Sequence, residues 1–150
     1  MKIGFIGLGS MGSLMSAQLV RSGYEVIGYD ILPAALAAAA ERGVVPAANS
    51  AEVAAQCDTI VCMMPQSSDT RVALFGEHSV CEHLRPGMLI LDMSTGAPTD
   101  TKAIHAQLKA LGVAFVDAPV SGGVVRAADG TLSIMASGDR EDYERALEIF

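Results

Sequence analysis

The sequence has no tryptophan, few other aromatic residues, and only 10 Lys and Arg against 17 Asp and Glu. Its 150 residues therefore carry a formal net charge of −7 at pH 7. Nucleic acids and anionic lipid surfaces attract basic proteins, so this balance argues against both kinds of partner. The longest apolar run, residues 31–40, is interrupted by Pro33 and is too short to span a bilayer.

Cysteine is also scarce. The three cysteines, Cys57, Cys62 and Cys81, form an odd number and show no Cys-x-x-Cys spacing. This pattern does not suit a disulfide framework or a zinc site. Because each lies in or beside an apolar stretch, we expect reduced core thiols in a cytoplasmic protein, with no metal bound.

Apolar strand-like segments alternate with helical ones along the whole chain, which has the length of one ordinary domain. The predicted strands are residues 2–7, 25–30, 59–63, 88–92, 113–117 and 131–136. The predicted helices are residues 11–21, 33–42, 49–56, 70–75, 79–84, 97–111 and a last one that begins near Arg140. This alternation predicts an α/β fold of the Rossmann type, with a doubly wound, mostly parallel sheet and helices on both faces.

The sequence GLGSMG, residues 7–12, follows the first strand and opens an amphipathic helix, as a dinucleotide fingerprint requires. Gly7 permits a tight turn, Gly9 lets a pyrophosphate approach the backbone, and Gly12 lets the helix pack close to the sheet. The N-terminus of the helix offers free N–H groups to phosphate. The predicted cofactor-binding residues here are Gly7, Leu8, Gly9, Ser10, Met11 and Gly12.

Asp30 closes the second predicted strand, 18 positions after Gly12. Its carboxylate is placed to accept hydrogen bonds from both ribose hydroxyls of an adenosine, and it would repel a 2′-phosphate. The next residues, Ile31 and Leu32, provide no cation to hold such a phosphate. We therefore predict NAD rather than NADP as the cofactor. The alternative to a dinucleotide site is a plain glycine turn with a solvated aspartate at the end of a strand.

A second unusual segment, DAPVSGG, lies at the end of a later strand. Ser121, Gly122 and Gly123 can form an anion-binding concavity, with successive N–H groups beside a hydroxyl, and a carboxylate substrate would suit it. The alternative is a plain flexible turn. Two other strand ends, Met64-Pro65 and Ser94-Thr95, are by themselves ordinary turns.

Together, GFIGLGSMG, GYD, MMPQ, DMST and DAPVSGGVVRAADGTLSIMASGD resemble the β-hydroxyacid dehydrogenase family, which includes 3-hydroxyisobutyrate, tartronate semialdehyde and L-threonate enzymes. The resemblance spans the chain and corresponds to the N-terminal NAD-binding domain of that family. It implies an NAD-dependent oxidoreductase that transfers a hydride between NAD and a small carboxylate-bearing hydroxyacid. It also implies cofactor contacts at Met64, Pro65, Asp69 and Thr95, and a substrate site at Ser121, Gly122 and Gly123.

The same resemblance implies a catalytic lysine, with an asparagine partner, in a GxxGxGxxxKxxxN-type stretch of a helical C-terminal domain. This chain has only Lys2, Lys102 and Lys109, and none lies in such a motif. We therefore expect residues 1–150 to be the dinucleotide-binding domain alone, able to bind cofactor without measurable turnover. The full-length protein is expected to be a homo-oligomer, a dimer or a tetramer.

Two other functions remain open from the sequence. One is a non-catalytic NAD-sensing module, which would lack any downstream lysine motif. The other is an imine reductase, an enzyme of the same architecture that lacks the lysine. Imine reductases generally use NADP, so Asp30 and the intact SGG segment count against the second alternative.

Overall fold

A computed structural model describes all residues, 1–150. The strands are β1 (Lys2–Ile6), β2 (Glu25–Tyr29), β3 (Val45–Pro46), β4 (Thr59–Cys62), β5 (Leu89–Asp92), β6 (Ala114–Asp117), β7 (Val120–Ser121), β8 (Ser133–Ile134) and β9 (Ser137–Gly138). The helices are α1 (Gly12–Arg21), α2 (Pro33–Ala40), α3 (Ser50–Gln56), α4 (Ser67–Phe75), α5 (Pro98–Ala110), α6 (Gly123–Asp129) and α7 (Arg140–Ala146). None of them has both the length and the apolar composition needed for a membrane crossing.

The main sheet has seven strands in the order β3-β2-β1-β4-β5-β6-β9. The first six are parallel, and β9 runs antiparallel to β6. After β1 the chain builds the sheet in one direction through β2 and β3, and it then returns to add β4 on the other side. The predicted doubly wound, mostly parallel sheet is confirmed, and its switch point lies between β1 and β4.

Each central strand is buried on both faces, which explains why the sequence shows continuous apolar runs rather than alternation. In β1, Phe5 contributes to the core beneath α1, whereas its neighbour Ile6 contributes to the core on the opposite face. Val61 and Ile60 divide in the same way in β4. The two apolar cores thus pack on opposite faces of one sheet, and the loops that follow the strands extend from its rigid edge.

Four segments differ from the sequence prediction. The strand predicted over residues 131–136 is wrong in its extent and its pairing, because only residues 133–134 form a strand there, β8, and it pairs with β7 in a separate ribbon. The main sheet instead gains β9, which follows the predicted range. Helix α6 and strand β3 were not predicted. Each is short, and partners distant in sequence stabilise them, so local periodicity carries little signal for either. Residues 80–83 form a 3₁₀ turn where a short helix was predicted.

Two side-chain placements also differ. His105, expected on a solvated side, is partly buried and stacks on Phe115 with ring centroids 6.0 Å apart. Cys81 is exposed, whereas Cys57 and Cys62 are buried thiols as expected. Burial raises the pKa of Cys57 to about 11, which keeps its thiol protonated and unreactive at neutral pH.

Helix α3 begins with a reciprocal cap. The side-chain oxygen of Asn49 accepts a hydrogen bond from the Glu52 N–H at 2.8 Å. The Glu52 carboxylate in turn accepts from the N–H of Ala48 at 2.6 Å. This confirms the helix cap predicted from the Asn49–Glu52 spacing, and it fixes where the chain turns into the helix.

Replacing Asn49 with alanine should lower the free energy of unfolding by about 1 kcal/mol, because the Glu52 N–H loses its acceptor. Asn49→Asp keeps an acceptor oxygen at the same position and is the matched control. Urea unfolding followed by circular dichroism measures both variants. An equal loss of stability in the two variants would contradict the capping role.

Candidate functional site

The loops that follow the parallel strands meet at one edge of the sheet. Just past the end of each strand, a backbone N–H donates across to the neighbouring strand. The bonds run from Gly7 to Tyr29 (3.0 Å), from Met63 to Ile6 (2.9 Å), from Met93 to Cys62 (2.9 Å) and from Ala118 to Asp92 (2.7 Å). These bonds hold the candidate residues of separate loops in one rigid row.

The glycine turn after β1 is shaped by close backbone contacts. Gly7 has a φ of +91°, and a Cβ there would overlap the carbonyl oxygen of Met63. A Cβ on Gly12 would overlap the carbonyl oxygen of Gly7. By contrast, a Cβ on Gly9 would meet no atom within 4 Å, so this glycine faces open space. The turn thus leaves room above Gly9 for a group lying against the backbone.

The N-terminus of α1 offers unused donors to that space. Met11 at the N-cap position makes no side-chain cap, and the first turn contains no acidic residue. The N–H groups of Ser10, Met11 and Gly12 donate to no acceptor within the chain. Free N–H groups at the positive end of a ten-residue helix fit a pyrophosphate.

Asp30 lies immediately beside this turn, at the end of β2. One oxygen of its carboxylate accepts from the Leu8 N–H at 2.6 Å, and the other accepts from the Leu32 N–H at 2.8 Å. Each oxygen keeps a further lone pair, so the carboxylate can still accept from two hydroxyl groups. The side chains of Ile31 and Leu32 are 81% and 63% exposed and carry no charge.

On the other side of the switch point, the segment after β4 lies against the glycine turn. The Met64 N–H donates to the hydroxyl oxygen of Ser94 at 2.8 Å. A Cβ on Gly7 would lie 3.1 Å from the Met64 sulfur, which places this side chain over the turn. Pro65 and Thr95 are exposed at the same edge, whereas Asp69 lies in the first turn of α4.

Sequence reasoning did not single out the buried groups behind this segment, Asp92 and Thr70. Asp92 ends β5 and accepts a hydrogen bond from the Ser94 N–H at 3.1 Å. Burial raises the pKa of the Asp92 carboxyl, while hydrogen bonds from Ser94 and Thr70 oppose that rise. An acid that ends an apolar strand was the available signal, and only the fold shows that it points inward.

The SGG segment is a turn between two regular elements. Ser121 ends β7, Gly122 has a φ of +136°, and Gly123 begins α6 with a φ of +65°. The N–H groups of Gly122 and Gly123 donate to no backbone or side-chain acceptor of the chain. Ser121 is exposed beside them. The segment therefore presents the predicted combination of two free N–H groups and a hydroxyl.

Helix α6 anchors this segment to the helix of the glycine turn. The Ala128 carbonyl accepts hydrogen bonds from the side chains of Gln18 and Arg21, both of which belong to α1. The Arg21 contact measures 3.2 Å. Because one helix carries the candidate pyrophosphate donors and the other begins at Gly123, the two candidate subsites are held relative to each other.

None of the three lysines lies in the glycine turn, the Met64-Pro65 segment or the SGG segment. Lys2 pairs with Glu25 at 3.0 Å, and Lys109 pairs with Asp139 at 2.7 Å. Lys102 lies on α5, where it lines a polar groove with His105. Gly96 and Asp117, which follow and end neighbouring strands, line the same groove. The free donors and acceptors of the glycine turn and of Asp30 thus suit binding of a dinucleotide.

The doubly wound sheet, the uncapped glycine turn and the acid at the end of β2 define a dinucleotide-binding domain. The model of one such family, the NAD binding domain of 6-phosphogluconate dehydrogenase, matches residues 2–150. The chain belongs to this family. The resemblance to β-hydroxyacid dehydrogenases inferred from the motifs is also confirmed, because proteins of that group are among its relatives.

The 3-sulfolactaldehyde reductase of Escherichia coli (strain K12) is 39% identical over 147 residues, which cover 98% of this chain and 49% of that protein. The NAD-dependent L-serine dehydrogenase of Pseudomonas aeruginosa is 36% identical over 149 residues, which cover 99% of this chain and 50% of that protein. A structure of Mycobacterium tuberculosis 3-hydroxyisobutyrate dehydrogenase with L-serine superimposes with a TM-score of 0.93 at 38% identity. The superposition covers 99% of this chain and 50% of that one. The chain thus spans about half the length of the relatives it matches.

Two glycine substitutions should separate cofactor access from folding. Gly9→Ala adds a methyl group to open space, so the melting temperature should stay unchanged. NADH binding should weaken at least about tenfold, since the methyl would occupy the predicted place of the phosphates. Gly12→Ala should instead destabilise the fold by more than about 1 kcal/mol, because its Cβ overlaps the Gly7 carbonyl. Thermal unfolding and fluorescence titration test both; tight NADH binding by Gly9→Ala would rule out this placement of the cofactor.

Proposed function

We propose that this chain is the NAD-binding half of an NAD-dependent β-hydroxyacid dehydrogenase. Its substrate would be a small carboxylate-bearing hydroxyacid of the 3-hydroxyisobutyrate type. The observation that carries the proposal is the arrangement at the sheet edge, where the free N–H groups of α1 lie beside the Asp30 carboxylate. The relatives named above are reductases and dehydrogenases of short hydroxyl- or carbonyl-bearing compounds, which supports the reaction class.

Each half of the dinucleotide has its own set of residues in this proposal. Asp30 holds the adenosine ribose, and the N–H groups of residues 10–12 hold the pyrophosphate. Met64, Pro65 and Thr95 line the far half, with Asp69 at its margin. Because a carboxylate repels a 2′-phosphate and Ile31 offers no cation, NAD is the preferred cofactor.

When bound, NAD supplies the acceptor for the hydride that leaves the hydroxyl-bearing carbon. The residues of this chain bind and orient the reactants. The Ser121 hydroxyl donates a hydrogen bond to the substrate carboxylate, and the N–H groups of Gly122 and Gly123 donate beside it. Holding the carboxylate at this point fixes the hydroxyl-bearing carbon over the edge of the sheet.

Removal of the hydroxyl proton needs a general base. We assign that role to a lysine of a helical second domain. Exposed apolar side chains support a docking face for such a domain on α6 and the segments near it. They are Val124, Val125, Met135 and Leu147, each at least half exposed. Homo-oligomerisation through that domain and a cytoplasmic location, which suits three free thiols, belong to the same proposal.

Titration of the chain with NADH and with NADPH, followed by nicotinamide fluorescence, tests the cofactor assignment. We expect saturable NADH binding and at least about tenfold weaker NADPH binding, since the Asp30 carboxylate faces the position of the 2′-phosphate. The absence of tryptophan keeps the protein background low.

The double substitution Asp30→Ser with Ile31→Arg should reverse this preference, because it exchanges a repelling charge for an attracting one. The matched control, Asp30→Ser with Ile31→Ser, removes the acid without adding a cation and should weaken NADH binding without gaining NADPH. Equal binding of both cofactors by the unsubstituted chain would refute the role of Asp30.

A second measurement addresses the missing base. The chain should give negligible NAD reduction with 3-hydroxyisobutyrate, L-serine or L-threonate, even at concentrations of NAD that saturate its fluorescence-detected site. The physical reason is that the lysine assigned as the acceptor of the hydroxyl proton belongs to the second domain. Substrate-dependent formation of NADH by the pure chain, followed by its near-ultraviolet absorbance, would overturn this expectation.

A further inference from the structure

A cluster of three buried polar residues lies beneath the carboxyl edge of β4 and β5. Asp92, Ser94 and Thr70 are 2%, 1% and 0% exposed, and we call them the buried polar cluster. The strands beneath the cluster are apolar and include Ile90, which is fully buried. Neither the cofactor contacts nor the substrate contacts proposed above use these three side chains.

The hydrogen bonds of the cluster lead to one backbone group in the site. Asp92 accepts from the Ser94 N–H at 3.1 Å, which fixes the backbone around Ser94. The Ser94 hydroxyl oxygen lies 3.4 Å from that of Thr70, and it accepts from the Met64 N–H at 2.8 Å. Because the Ser94 hydroxyl accepts a hydrogen bond from the Met64 N–H, its own O–H is free to donate to the carboxylate of Asp92. The chain of contacts therefore runs from a buried acid to the loop over the glycine turn.

Such a cluster is expensive for folding alone. A buried carboxylate loses its hydration, and the raised pKa of Asp92 reflects that cost. Apolar side chains of similar size would fill this part of the core with less loss. What the polar groups supply, and apolar ones would not, is an acceptor for the Met64 N–H. The arrangement thus indicates that the buried polar cluster serves to position the Met64-Pro65 segment rather than to pack the core.

The position of the loop shows which part of the ligand it would affect. Asp30 follows β2, on one side of the switch point between β1 and β4, whereas Met64 follows β4 on the other side. If a dinucleotide lay across this edge with its adenosine on Asp30, Met64 and Thr95 would be the residues that meet its nicotinamide half. Since the Met64 side chain also covers Gly7, a shift of this loop would alter that half first.

We propose that Asp92, Ser94 and Thr70 are positioning residues that hold the Met64-Pro65 segment in register with the nicotinamide-side half of the dinucleotide. The inference rests on the proposed NAD-binding function and adds residues that act through the backbone of Met64. The two carboxylates then have different roles, because Asp30 meets the ligand and Asp92 orients the loop that meets the ligand.

Ser94→Ala tests this proposal with two probes, NADH and AMP, measured by isothermal titration calorimetry. AMP carries only the adenosine half, which Asp30 holds. We expect NADH binding to weaken about tenfold, as for loss of one buried hydrogen bond, while AMP affinity changes by less than about twofold. Amide hydrogen exchange of the ligand-free chain gives a second readout: the Met64 N–H should exchange faster in the variant.

Ser79→Ala is the matched control. Ser79 is also a buried serine, 1% exposed, and its hydroxyl contacts the Cys81 sulfur at 3.1 Å, outside the row of cofactor loops. It should lose similar stability and leave the affinities for both nucleotides and the exchange of Met64 unchanged. If Ser94→Ala fails to fold, Thr70→Val removes one hydroxyl from the cluster instead. It should also weaken NADH binding more than AMP binding, by a smaller factor.

Equal weakening of NADH and AMP, or no weakening of either, would show that the cluster only supports the core, and the proposal would be wrong. Failure of the unsubstituted chain to bind either nucleotide would instead refute the proposed function. In that case, unchanged exchange of the Met64 N–H in Ser94→Ala would overturn the positioning role, and faster exchange would support it.

Discussion

The close approach of the first glycine turn to its surroundings is the constraint on which the site depends. The Gly12 backbone lies against the Gly7 carbonyl, and Gly7 in turn lies against the Met63 carbonyl. A side chain at Gly12 would push α1 away from the glycine turn, and one at Gly7 would push the turn away from the segment after β4. With both absent, the N-terminus of α1 lies at the switch point, and its free N–H groups point to the same space that Asp30 and Met64 border.

Two carboxylates at the ends of parallel strands illustrate how environment determines what an acid can do. Asp30 is partly exposed, tied to two backbone N–H groups and still able to accept from a ligand. Asp92 is buried, and its pKa is raised by the loss of water around it. One acid can therefore recognise hydroxyl groups directly, while the other can act only through the residues packed upon it.

Some elements of the fold were predictable from the sequence and others were not, for a physical reason. The central parallel strands and the long helices were predictable, because burial on both faces or on one stripe leaves a recognisable apolar pattern. The segment from Val120 to Gly138 was predicted poorly. It contains two-residue strands whose pairing depends on β6 and on each other, and α6 is stabilised through its contact with α1. No local pattern encodes such partners.

For the site, the sequence alone determined the chemistry of the glycine turn, the acid that follows the second strand and the SGG segment, because turn geometry and strand order demand particular residue types at particular spacings. The tertiary structure decided which of two adjacent hydroxyls faces inward, placing Ser94 in the core and Thr95 at the surface. It also decided that Asp92 and Thr70, which lie far apart in the chain, share one buried cluster. Orientation and burial of this kind arise only when separate strands meet, and so a linear pattern does not contain them.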